Sequence, residues 1–471
     1  MHDTSSSLAD LLALAAWSPR QLVAAVNARL ARQGGTFRLD LTAAYSWVNR
    51  GSRPHPPVPH IVAAVLSERL GFRVTASQLW PGRELAGPID RTAAGGLAAL
   101  SGVDELMREL ADLSAVAGTP LDPIGDASGV DLTAAVLDQL HGAVLSARNR
   151  AGHEWVHPEQ VDVIARHVAD LRRLDDRHGG GALSVRYVSG ELQNIIGLVE
   201  YANYDHETGR RLITIVADLA QLLGWLHFDS SRYGAAERYL LLSVAVCRLL
   251  GDSDRSANVI GMLSYVSAFA GHGPQAVRLA EAARAEYRSD DPVLQARLLG
   301  REATAAAADG DLARFRRCSG EAAALLDSGN VKARPSFLYY LSSTQLSAET
   351  GQALVTLAER TTVNRDKLLD AGIRVLTTAI AAMTAPDGAN PPPYARSGLL
   401  HSTFLARAHF LHGGTSDAIT TIRASLRLLP HVQSPRGRHY LAGLRSALAR
   451  RSRSQQVRDF LLEFDEALST L

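Results

Sequence analysis

Between Leu219 and Asp252 the chain reads LAQLLGWLHFDSSRYGAAERYLLLSVAVCRLLGD, with apolar residues at helical spacing on both sides of one break, Ser230-Ser231-Arg232. That pattern predicts two helices joined by a tight turn. Gly224 and Ala236 are small where the two helices must approach, and Leu223 and Leu240 fill the space beside them. The arrangement returns as Leu263, Gly271, Ala276 and Ala283, and again as Leu405, Gly413, Ala418, Ile422, Ser425 and Pro430. Ala236 and Ala276 are 40 residues apart, Gly271 and Gly310 are 39, and Gly310 and Gly351 are 41. A single helical hairpin cannot bury its own apolar face, so such copies must stack into a continuous core with a concave surface.

The offsets of Leu223-Gly224, Tyr233, Ala236, Leu240 and Ser243 resemble the tetratricopeptide (TPR) repeat. His227 stands where that family usually has Tyr, and Arg248 where it often has Pro. The period exceeds the family's usual length of about 34 residues, so helices or loops are longer here. Copies are expected over residues 211–250, 252–289, 291–328, 335–380 and 394–430, with a last helical pair reaching Leu471 and an inserted loop from Pro386 to Pro393. The expected fold is all-α: an N-terminal helix-turn-helix domain (1–82), a helical connector (83–154), and a C-terminal TPR-like right-handed α-solenoid (155–471) that binds a ligand or partner. The connector is set off by its breaks at Gly95-Gly96, Gly118-Thr119-Pro120 and Pro123-Ile124-Gly125.

Composition narrows the function classes. No window holds eighteen uninterrupted apolar residues, so no membrane span is expected, and the first residues lack the basic segment of a signal peptide. Cys247 and Cys318 are the only cysteines; this fits a reduced, cytoplasmic setting and leaves no disulfide framework or cysteine-rich zinc site. Net charge is +1, yet residues 1–85 carry nine arginines against five carboxylates. A mildly basic head on a slightly acidic body suits a nucleic-acid end and a sensing end.

In the head, residues 8–16 and 18–32 read as helices, the second opened by Ser18 as N-cap with Pro19 behind it. LDLTAAYSWVNRGSRP (39–54) and VPHIVAAVLSERLGF follow. Four helices in this length, with Ala44-Tyr45-Ser46-Trp47-Val48-Asn49-Arg50-Gly51 as the third, resemble the helix-turn-helix of Cro/repressor (XRE) type. Asn49 stands in place of that family's usual Glu, and Trp47 in place of a polar reader. A recognition helix starting near Asp40 would present Thr42, Ala43, Ser46 and Trp47 to the major groove. Arg50, Arg53 and Arg20 would reach phosphates. The alternative is a helical docking domain with Trp47 in its own core.

Asp175-Asp176-Arg177-His178-Gly179-Gly180-Gly181, together with the Leu-Leu-Gly-Trp repeat, resembles actinobacterial regulators that join an XRE-like head to a TPR body. Adjacent helical positions point in different directions, so two Asp and a His in a row are expected to orient a joint at a helix C-terminus rather than to hold metal. Gly271-His272-Gly273-Pro274-Gln275-Ala276 fits the G-x-G-x-x-A spacing of dinucleotide sites, but a helix precedes it and it falls on a turn between helices. P-loop, zincin and hydrolase-elbow signatures are missing from the sequence, so no enzyme, cofactor or metal is expected.

The first helix of each TPR pair lines the concave face. Projecting its spacing puts Asp218, Gln221 and Trp225, then Asn258, Met262 and Tyr265, then Arg297, Arg301 and Thr304 in successive columns. Leu338 and Gln345 come next, and Arg396, Leu400, Thr403 and Arg407 last. The ligand set expected from these is Asp218, Gln221, Trp225, Asn258, Tyr265, Arg297, Arg301, Gln345, Arg396 and Arg407, in which amides and acids pair a peptide backbone and arginines meet a carboxylate. Trp225 can instead be core between helices. The resemblance to Gram-positive peptide-sensing regulators implies a homodimer on double-stranded operator DNA, with a peptide or small-molecule effector. An adaptor that scaffolds another regulatory protein, its head no longer binding DNA, is the other reading.

Overall fold

Four of the expected breaks between helices close in one way. Ser231, Gly271, Gly310 and Gly413 take φ of 58°, 90°, 88° and 92°. The amide that follows each reaches back five residues, Arg232 N to His227 O at 2.9 Å, His272 N to Ser267 O at 3.0 Å, Asp311 N to Ala306 O at 2.9 Å and Gly414 N to His409 O at 2.8 Å. These bonds satisfy helix-end carbonyls that would otherwise lack partners, and the left-handed residue turns the chain back on itself. The G-x-G-x-x-A stretch is one of these turns.

In the computed structural model the described residues are 8–15, 17–32, 38–52, 54, 58–70, 74, 79–80, 103–115, 155–179, 182–327, 334–385, 394–450 and 454–469. Among them the chain is all-helical, with one isolated bridge between Trp155 and Asn203. It divides into two compact units, Met1–Ala93 and Ala94–Leu471.

The first unit holds α1 (Leu8–Ala15), α2 (Pro19–Arg32), α3 (Ala43–Arg50) and α4 (Val58–Leu70). Its start signals work as expected at α2, where Ser18 Oγ accepts from Gln21 N at 3.3 Å and Gln21 Oε1 accepts from Ser18 N at 2.8 Å. Asn27 holds the approach to α3, its amide exchanging two bonds of 2.9 Å with the Leu39 backbone. Leu22, Val23, Val26, Ala44, Val62 and Leu66 form the core.

The second unit is α-solenoid-like. After α5 (Val103–Ala115) come α6 (Pro158–His178) and α7 (Ala182–Tyr201), which meet through His167 and Tyr187, and then six antiparallel pairs: α8 (His206–Asp229) and α9 (Tyr233–Leu249), α10 (Ser253–Phe269) and α11 (Gly273–Glu286), α12 (Pro292–Asp309) and α13 (Leu312–Asp327), α14 (Ser343–Arg360) and α15 (Arg365–Met383), α16 (Ala395–Leu411) and α17 (Thr415–Leu426), α18 (Pro435–Ala449) and α19 (Gln455–Ser469). Each of the five copies drawn from the sequence holds one pair. First helices of successive pairs also touch, α10 on α12 and α12 on α14, and the array curls until α6 packs on α16. The expected connector departs from this: its described helix α5 packs on α7 and α9, fixed by a Glu109–Arg238 ion pair of 2.8 Å, and so belongs to the second unit. The connector's other residues and the 386–393 loop lie outside the described residues.

The close approach at Gly224 is as tight as the repeat pattern requires. A Cβ there would stand 2.7 Å from Leu240 Cγ and 3.1 Å from the Ala236 carbonyl oxygen, so no other residue fits between α8 and α9. Among the described helices α8 alone is long and apolar enough to cross a membrane, and most of that stretch is buried inside the array.

His227 is fully buried and stacks on Tyr239 with ring centroids 5.2 Å apart. Among the described residues neither ring nitrogen has a hydrogen-bond partner, and burial pushes the imidazole pKa down to about 3. The folded protein therefore refuses a proton that the unfolded chain takes up below about pH 6.5, and stability is lost as pH falls from there toward the folded value. His227→Phe should remove that loss. Its stability advantage over the parent should grow by about 2 kcal/mol between pH 7 and pH 5, read from denaturant midpoints. A constant difference across that range would mean that His227 is already charged or solvated in the fold.

Candidate functional site

Because first helices face inward around the curl, their side chains converge on one cavity of about 930 Å³ of atom-free space, mouth included. Every described residue lining it lies on α6, on the first helix of a pair (α8, α10, α12, α14, α16 or α18), on the 337–340 segment, or at Tyr394 just before α16. Of the ligand set expected from the sequence, Gln221, Trp225, Tyr265, Arg301, Gln345 and Arg396 line this cavity.

One wall is aromatic. Trp225 and Tyr265 have centroids 6.0 Å apart, Tyr265 and Phe269 4.6 Å, Phe269 and Phe404 6.3 Å, and Phe404 and Tyr440 5.6 Å, an unbroken run of five rings. Guanidinium groups crowd it. Arg301 stands 4.0 Å from the Tyr265 centroid and 6.0 Å from that of Trp225, with Arg396 at 5.8 Å and Arg436 at 5.7 Å from the same indole. Each gains from the negative face of the rings.

The charges pair unevenly. At one end Glu349 accepts from Arg297 through both oxygens, one bond being 3.1 Å, and from Gln345 Nε2 at 3.0 Å. Arg301 Nη1 is 3.8 Å from the same carboxylate. Burial alone would raise the Glu349 pKa, but Arg297 and Arg301 outweigh it and hold the group down at about 2. Two buried guanidiniums thus share one carboxylate, and Arg301 Nε and Nη1 are enclosed with no hydrogen-bond partner among the described residues. Beside them His401 is buried and neutral, its pKa pushed down by burial to about 4.

At the other end Arg396 Nη1 lies 3.0 Å from Asp175, and its Nη2 lies 3.1 Å from Asp176. Asp229, fully buried behind them, is 3.3 Å from Arg436. Burial pushes Asp175 up to about 7 against the pull of Arg396. Tyr339 donates to Asp176, Gln433 N donates to His178 O at 2.6 Å, and His178 Nδ1 lies 3.3 Å from His431 O. The Asp-Asp-Arg-His-Gly motif was expected to orient a joint between domains; within the second unit it clasps α6 to the segment before α18 and to α16. Gly179, at φ 78°, is required there, since a Cβ would meet the Gln433 carbonyl oxygen at 2.8 Å. Among the described residues no cluster of His, Cys, Asp or Glu is arranged to hold a metal ion.

The other expected ligand residues lie elsewhere. Arg297 is buried behind the wall as the partner of Glu349, and Asp218 is taken by Arg172 at 3.0 Å and by Arg255. Asn258 is buried on α10 away from the cavity. Arg407 pairs with Glu359 at 2.7 Å outside it. On the helices they projected, the sequence columns passed over Phe269, Glu349, His401 and Phe404. Beyond those helices they missed Arg436, Tyr440, Asp175, Asp176 and Tyr339. Extending the projection to α6 and α18, whose starts are marked by Pro158 and Pro435, reaches all of the latter but Tyr339; it sits in an irregular segment with no period to project.

In the first unit α3 is shorter than drawn. Thr42, exposed, precedes it and donates through both its amide and its hydroxyl to the Asp40 carboxylate, bonds that, with Arg20 nearby, hold Asp40 below the usual carboxylate range. Ala43 and Ser46 are half-buried, and Ser46 Oγ donates to Ala43 O at 2.9 Å. Trp47, expected on the outward half, is 6% exposed and packs edge-on against Trp80 at 6.5 Å. The reason is its three-residue spacing from Ala44, which puts both on the core side. Leu41, Tyr45 and Asn49 face out instead, and Arg20 is exposed. Arg53 and the Arg50 side chain lie outside the described residues.

No curated protein matches the chain. Residues 8–79, which span α1 to α4, match the family described as the SP15 N-terminal domain.

Proposed function

We propose that this chain is a DNA-binding transcriptional regulator, a homodimer of the cytoplasm whose TPR body receives a small ligand or peptide. The observation that carries the reading is the aromatic and arginine cavity lined mainly by first helices, an arrangement suited to holding an anionic guest. The separate first unit supplies an XRE-like helix-turn-helix end: α3 presents Tyr45 and Asn49 outward, with Arg20 near its start. Ligand acts by its unequal affinity for two arrangements of the protein, and about 1–3 kcal/mol of coupling changes DNA affinity roughly 5–150-fold.

Burial of Trp47 favours a second reading, the adaptor, because it removes one expected base reader. Salt titration of duplex DNA binding by fluorescence anisotropy separates the two. Arg20→Ala and Arg50→Ala should each weaken binding and flatten the salt slope by about one unit. Absence of salt-dependent binding in the parent protein would sink the DNA reading and leave the adaptor. Immunoprecipitation of bound chromatin followed by sequencing would then locate operators, or find none.

A further inference from the structure

The guanidiniums around the cavity are paired unequally, and the difference specifies a guest. Near Asp175, Asp176 and Asp229 the carboxylates match or exceed the two arginines they face, Arg396 and Arg436. Near Glu349 the balance is reversed, since Arg297 takes both carboxylate oxygens and Arg301 is left beside them. Arg301, 3% exposed, comes no nearer than 3.8 Å to a carboxylate among the described residues, a charge taken out of water without full compensation. Arg396 also has enclosed Nε and Nη1 without hydrogen bonds, but carboxylates stand 3.0 and 3.1 Å from it. An entering anion would supply what is missing, and a carboxylate matches the planar fork of an arginine. His401, also on the cavity wall, has Nδ1 enclosed without a hydrogen-bond partner among the described residues and adds a polar edge.

Away from Arg301 the wall runs Tyr265, Phe269, Phe404, Tyr440 in ring-to-ring contact. Such a surface takes a flat apolar body by stacking and by burial of its area. The clasp of α6 on α16 and on Gln433 closes the curl across from it.

We infer that the cavity binds a compact aromatic monocarboxylate, its ring against the Tyr265–Phe269–Phe404 wall and its carboxylate on Arg301. This rests on the proposed receptor role of the body and names the chemical class of its effector.

The test is calorimetric titration of the full chain, without DNA, with 2-naphthoate, with the uncharged 2-naphthamide, and with a pool of short peptides. Naphthoate should bind at least about tenfold more tightly than the amide, the margin expected for one charge-assisted contact. Arg301→Gln should bring naphthoate down to the amide's affinity while leaving the amide unchanged, and Arg301→Lys should recover part of the difference. Equal affinities for acid and amide in the parent protein would overturn the anion assignment whatever the variants do. So would undiminished naphthoate binding by Arg301→Gln, or binding of neither ring compound at millimolar concentration. Binding by the peptide pool alone would overturn the aromatic carboxylate and leave the receptor reading standing; the DNA titration is independent of all these outcomes.

Discussion

Glu349→Gln should destabilise the second unit by about 3–5 kcal/mol, the cost of leaving a buried charge without its partner. Arg297 is 1% exposed and Arg301 3%, and Glu349 is the carboxylate that faces both. A glutamine keeps the shape and the bond from Gln345 but offers Arg297 one neutral oxygen in place of two charged ones. Pairing this change with Arg297→Met should restore much of the loss, because the cost lies in the orphaned cation more than in the lost attraction. The parent's pH dependence carries the same signature. Glu349 ionises at about 2 in the fold, below its ordinary 4.5, so its contribution is present above that ordinary value and disappears as pH falls through about 2. Glu349→Gln should lack this acid limb. Urea midpoints for the single and double variants check it; a Gln variant as stable as the parent would mean that water reaches Arg297.

Trp225→Ala should cost stability and ligand binding together. The indole is half-buried against Phe228 at 5.3 Å and Tyr265 at 6.0 Å, with three guanidiniums within 6.0 Å of its centre. Removing it takes away a large packed ring and the face on which Arg301, Arg396 and Arg436 rest, a loss of about 3–5 kcal/mol. The cavity would also gain volume filled by water, and naphthoate affinity should fall below detection. Trp225→Phe separates the two roles, since it keeps a ring in the core and presents a smaller, weaker face to the cations. It should melt within a few degrees of the parent yet bind naphthoate several-fold more weakly. If Trp225→Ala melted normally and lost binding, the ring would belong to the site alone. If it melted low and still bound, the ring would belong to the core alone. Arg407→Ala, outside the cavity, should change neither property.

Helix periodicity and small residues determine much of this architecture. The five copies between residues 211 and 430 each fold as one antiparallel pair, because Gly224 and Ala236, or Gly271 and Ala276, sit at contacts and turns that tolerate little else. Inward facing of the first helices was what the TPR resemblance implied, and it carried Gln221, Trp225, Tyr265, Arg301, Gln345 and Arg396 to one cavity. Burial depth was not legible. Arg297 and Arg301 lie four residues apart on one helical face; only the position of Glu349 on α14 makes one a structural partner and leaves the other short of a counter-charge. Trp47 shows the same limit in the first unit, since one turn of helix looks alike from both sides until Trp80 packs against it. Closure of the array was hidden as well. Asp175 and Asp176 meet Arg396 across 221 and 220 positions of chain, and no local pattern encodes a contact made by the accumulated curl of the pairs between. Sequence alone determined which residues form helices, where they turn and which face each pair buries, because those are decided by neighbours three and four residues away. The tertiary structure alone decided which buried charges are answered and which are not, because a guanidinium and its carboxylate come from different pairs and meet only when the curl closes.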